Sequence, residues 1–61
     1  LKKQNAQVLS VSGTNAQIMD METYETFDLE IPDDLQGQVE SGKTIMYWEI
    51  MGKRMMKQMV T

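Results

Sequence analysis

MDMETYETFDLEIP, Met19–Pro32, decides the fold, because its second half alternates without a break. Phe27, Leu29 and Ile31 share one phase, while Thr26, Asp28 and Glu30 share the other. That two-residue period is the mark of a strand with one face on a core and one in water. Glu22-Thr23 leads into it and Pro32 ends it, since proline removes a ladder donor.

Working outward, Pro32-Asp33-Asp34 carries helix-start chemistry: a proline suited to a first turn and carboxylates suited to a helix N-terminus. Leu35 and Val39 lie four apart, so a short helix would set both on the core, and Gly37 and Gly42 keep it short. Upstream, Ala6–Ser12 (AQVLSVS) reads as a strand that ends at the turn cluster Gly13-Thr14-Asn15, and Ala16–Met21 returns from it. Downstream, Thr44–Met51 (TIMYWEIM) is a fourth strand. Gly52-Lys53 suits a two-residue hairpin turn with glycine first, and Met55–Val60 is a fifth strand.

Five strands with a short helix between the third and fourth follow the order of an all-β OB-fold, a partly open Greek-key barrel. An SH3-like barrel is the structural alternative, but it leaves the helix unexplained.

The 61 residues hold one domain. A core of this size nets only about 3–5 kcal/mol without a staple. Cysteine and histidine are both absent, which excludes disulfides, thiol nucleophiles and the usual general base, metal ligand and neutral-pH switch. No apolar run has the length of a membrane span. The net charge of −3 hides a strong segregation. Eight of the nine acidic residues lie between Asp20 and Glu40, where no basic residue occurs, while Lys2, Lys3, Lys43, Lys53, Arg54 and Lys57 sit towards the ends. An acidic whole weighs lightly against non-specific nucleic-acid binding, yet a folded sheet can gather its basic ends on one face.

Gly37–Thr44 matches the phosphate-binding pattern G-x-x-x-x-G-K-[ST]. That loop needs a buried strand before it and a helix after it. Here Asp33–Gln36 precedes it, strand-like Ile45–Ile50 follows, and Glu40 would set a carboxylate against the phosphates, so no nucleotide site is expected. The carboxylates Asp33 and Asp34, and Asp20, Glu22 and Glu25, read as solvated acidic surface rather than an acid–base pair or a cation site. Ser10, Ser12 and Ser41 have no histidine to activate them. The seven methionines read chiefly as flexible core filler. By strand phase Trp48 joins Met46 and Ile50 in the core, whereas Tyr24 and Tyr47 fall with polar neighbours. The two tyrosines are left either to stack a base or to brace a hairpin.

Three segments taken together, AQVLSVSG (6–13), AQIMDMETYETFDLEIP (16–32) and YWEIMGKRM (47–55), resemble the C-terminal domain of the hypusine-containing translation initiation factor 5A family. The resemblance runs in order from about Asn5 to Met59, and its short loops and short tail suit the archaeal form. It implies an OB-fold over residues 5–61, with residues 1–4 a linker from a missing N-terminal domain. It further implies a non-enzymatic cytoplasmic protein, without cofactor, that binds the ribosome and assists peptide-bond formation. The modified lysine of the family lies in that other domain, so no lysine here inherits its role. Lys2, Lys3, Lys53, Arg54 and Lys57 are then candidates for phosphate contacts, with Tyr24 and Tyr47 as stacking partners. The partners would be ribosomal RNA, transfer RNA or ribosomal protein. The alternative is a protein-interaction module that presents the acidic 20–40 block to a basic protein.

Overall fold

The computed structural model describes residues 1–60, and five strands make up most of them. They are β1 (Lys2–Ser12), β2 (Asn15–Asp20), β3 (Thr26–Glu30), β4 (Thr44–Ile50) and β5 (Lys53–Met59). All neighbours are antiparallel, in the order β3-β2-β1-β4-β5. The sheet curls until β3 meets β5 through side chains, with the Arg54 guanidinium of β5 over the Phe27 ring of β3 at 4.1 Å. Phe27 also packs edge-on against Tyr47 of β4 with ring centroids 5.3 Å apart, and Arg54 reaches Glu25 just before β3. This is the all-β, five-stranded OB-fold barrel.

Two bulges produce the curl. In β1 the register slips between Val8 and Ser10, leaving Leu9 as the extra residue. In β5 the slip lies opposite Met46 and Tyr47, and the extra residue is Lys57. Each bulge bends its strand and increases the local twist, which lets a long strand such as β1 pair with both β2 and β4.

The core follows from the alternation. Ala6, Val8, Ala16, Ile18, Leu29, Ile45, Tyr47 and Met56 point inward and are buried, with Phe27 and Met59 packed at the edge. Ile31, Leu35 and Val39 close one end as the chain crosses from β3 to β4. The expected helix there is a single 3-10 turn, Asp33–Leu35, with Pro32 before it. Val39 reaches the core from the irregular chain that follows. Only Met56 of the seven methionines is fully buried; Met51 and Met21 are exposed and the others lie at the edge.

Three expectations shift. β1 begins at Lys2, so residues 2–4, read as linker, pair with Tyr47–Glu49 of β4. The last hairpin turns at Met51-Gly52, not Gly52-Lys53, because Ile50 pairs with Lys53. Both turn residues have positive φ, 51° and 82°, the backbone of a type I′ turn. The phase of β4 is also opposite to expectation: Tyr47 is inside at 2 % exposure, and Trp48 lies on the outer face, half-buried.

Candidate nucleic-acid interface

The outer phase of β1, β4 and β5 brings together residues far apart in sequence. Lys3 pairs with Trp48, and Trp48 pairs with Met55. The ammonium groups of Lys3 and Lys57 each lie 5.1 Å from the centre of the indole ring, within range of a cation–π attraction. Lys57 is the bulged residue of β5, placed beside the ring by the register slip. Lys53, opposite Ile50, extends the same face towards the turn. Glu49 is the one carboxylate in these three strands, and by register it lies on the other face. The face is therefore cationic with an aromatic centre.

The remaining basic candidates are elsewhere. Lys2 is opposite Glu49, on the side away from Trp48. Arg54 is engaged within the barrel: its Nη2 donates to Glu25 Oε1 at 3.0 Å, its Nε lies 3.8 Å from Glu49, and its guanidinium covers Phe27 at 4.1 Å. Of the tyrosines, Tyr24 is 71 % exposed, on a turn and with φ at 63°. Tyr47 is withdrawn from solvent, which corrects its expected place as a stacking partner.

Tyr47 is inside because it has a polar partner there. Its hydroxyl donates to Oδ2 of Asp20, the one buried charged residue described. Oδ1 of Asp20 accepts from the backbone N–H of Glu22 at 2.7 Å and of Thr23 at 2.9 Å, which shapes the β2–β3 turn. Burial opposes ionisation of Asp20, but the hydrogen bonds from Tyr47, Thr23 and Glu22 outweigh it, and its pKa is lowered. Burial, and then the adjacent carboxylate, raise the pKa of Tyr47 well above the phenol range. Asp20 is therefore buried and not part of the acidic surface, and its position four residues before an exposed turn tyrosine carries no signal of this. Trp48 lies outside the core, which its phase does not reveal because β4 has apolar residues in both phases.

The loop over residues 37–44 runs into β4 rather than a helix. Three of its amides are already used: Gln38 N donates to Leu35 O, Gly42 N to Val8 O and Lys43 N to Glu40 O. Among the described residues no three acidic, histidine or cysteine side chains gather as a metal site, and no helix is long and apolar enough to cross a membrane.

Five antiparallel strands curled into a partly open barrel define an OB-fold domain. The chain belongs to the elongation factor 5A family: the family model described as eukaryotic elongation factor 5A hypusine, DNA-binding OB fold, matches residues 1–59. It is 46% identical over 59 residues to translation initiation factor 5A of Archaeoglobus fulgidus, covering 97% of this chain and 46% of that protein. Over 53 residues it is 55% identical to the factor of Methanococcoides burtonii, covering 87% of this chain and 42% of the relative. The solved structure of eukaryotic translation initiation factor 5A from Methanococcus jannaschii superposes with a TM-score of 0.86 at 36% identity, over 97% of this chain and 44% of that one. The chain therefore spans a little under half the length of these relatives.

Proposed function

We propose that this chain is the ribosome- and RNA-docking OB-fold domain of a translation factor 5A, acting in the cytoplasm and without catalysis. In this reading it holds the factor in place while the hypusine-bearing domain promotes peptide-bond formation. The observation that carries the reading is the outer face of β1, β4 and β5, which has no carboxylate from these strands, where Lys3 and Lys57 flank Trp48 and Lys53 extends the face. Lysines on such a face bind a polyanion by releasing its counterions, with a steep dependence on salt. Lys2 and Tyr24 lie outside this face and would contribute at its margin.

Binding to extracted ribosomal RNA, followed as a function of salt, tests the assignment. Removing the charges of Lys53 and Lys57 is expected to weaken binding and flatten the salt dependence. An unchanged slope refutes it.

A second reading rests on the acidic 20–40 block. Glu22, Glu25, Asp28, Glu30, Asp33, Asp34 and Glu40 are all exposed, which suits a basic protein partner. Charge reversal at Asp28 and Glu30 would then weaken binding to ribosomal protein and leave RNA binding intact.

A further inference from the structure

The indole of Trp48 is unusual in two respects that the strand register alone does not require. Two ammonium groups, from Lys3 and Lys57, are drawn to one ring, so they can be no further apart than twice 5.1 Å. Like charges within that distance repel, and no carboxylate of these strands shares the face. Glu22 and Glu30 approach Lys3 and Lys57 from outside these strands, but among the described residues neither forms an ion pair with them. In addition, the Nε1–H of Trp48 is buried and has no acceptor among the described residues. A buried donor left unpaired is costly, and native structures leave few of them. Among the described residues, two cations without an ion pair and a donor without an acceptor meet on one side chain.

An anion with several oxygens answers both deficits. We propose that Lys3, Lys57 and the indole N–H of Trp48 form a clamp for one phosphate group of an RNA backbone. This rests on the RNA-docking reading above and specifies its chemistry. In the clamp the lysines move from the ring to the phosphate oxygens, and the N–H donates as a third contact. All three contacts go to phosphate oxygens and none to a base edge, so the clamp recognises backbone and not sequence. Trp48 is thereby a positioning residue as well as a contact. Lys53, Arg54 and Lys2 are outside the clamp.

The test uses labelled oligo(U) and oligo(A) strands of equal length, with fluorescence anisotropy as readout and inorganic polyphosphate as competitor. Both oligonucleotides are expected to bind within a few-fold of each other and to resist polyphosphate of equal charge. Binding should alter the emission of Trp48, the single tryptophan of the chain. Lys3→Met and Lys57→Met, both at exposed positions, should each lower the slope of log affinity against log salt by about 0.7. Trp48→Phe keeps a ring for the lysines and loses the neutral donor, so it should weaken binding about tenfold with the slope unchanged.

RNA binding by the wild type combined with an unchanged slope in the double lysine variant overturns the clamp and leaves the docking reading standing. So does full affinity in Trp48→Phe, or binding without any change in Trp48 emission. A strong preference for one base overturns backbone recognition, and displacement by polyphosphate at equal charge overturns RNA as the source of the phosphate. Failure of the wild type to bind either strand removes the docking reading and the clamp together.

Discussion

The hydroxyl of Tyr47 on β4 donates to the carboxylate of Asp20 at the end of β2, joining two strands that are not neighbours in the sheet. β1 lies between them, with the small Ala6 opposite Asp20 in one register and Ile45 in the other. The same carboxylate orders the β2–β3 turn through two backbone amides. One buried charge thus ties the turn to the centre of the barrel, and all of its partners are donors.

Removing one of those donors exposes the cost. Tyr47→Phe keeps the ring packing against Phe27 but leaves an oxygen of a buried carboxylate short of a partner. Chemical denaturation should show a loss of about 1–3 kcal/mol, a large share of what so small a core nets.

The pair also sets both ends of the stability profile in pH. Asp20 has a lowered pKa in the fold, so it contributes stability above its unfolded value of 3.8 that is lost as pH falls through the folded value. Tyr47 has a raised pKa, so its contribution is complete below the unfolded value of 10.0 and is lost as pH rises beyond it. Thermal melts across pH should show Tyr47→Phe free of the alkaline limb. An alkaline limb of wild-type size in that variant would refute the assignment.

Met51 occupies the left-handed region with its side chain 98 % exposed, so it bears backbone strain with no packing in return. Met51→Asn creates Asn followed by Gly52, the preferred pair for a type I′ hairpin turn. The substitution should raise stability by about 1 kcal/mol in denaturant titrations. A decrease would show that Met51 has a contact that the isolated turn geometry does not reveal.

Arg54 on β5 closes the barrel against Phe27 of β3 and Glu25 just before it, and its Nε also lies near Glu49 of the paired β4. The groups are partly exposed and screened, so Arg54→Met should cost only about 1 kcal/mol. It should also change RNA affinity much less than Lys57→Met, because its charge is already paired. Equal losses in the two variants would place Arg54 on the RNA-binding face.

The strands and their order could be read from local signals alone. TFDLEI alternates, glycines mark the β1–β2 and β4–β5 turns, and Pro32 stops β3, each a consequence of backbone chemistry within a few residues. The family could likewise be read from three short segments in order. The phase of β4 could not. TIMYWEIM has apolar side chains in both phases, so its own alternation cannot say which face is inside, and Asp20, distant in sequence, decides it by giving Tyr47 a buried acceptor. The two bulges are equally silent in sequence, since an extra residue in one strand exists only against its partner.

Charge segregation was likewise visible as a pattern along the chain, but not as a surface. Six basic residues at the ends of a sequence look alike. Pairing across β1, β4 and β5 sorts them: Lys3, Lys53 and Lys57 share a face with Trp48, Lys2 faces the other way, and Arg54 is spent on two carboxylates. Local propensity and periodicity thus determined which elements form. Cross-strand register, a property of pairs of residues far apart in the chain, decided which side chains meet and which remain available to bind.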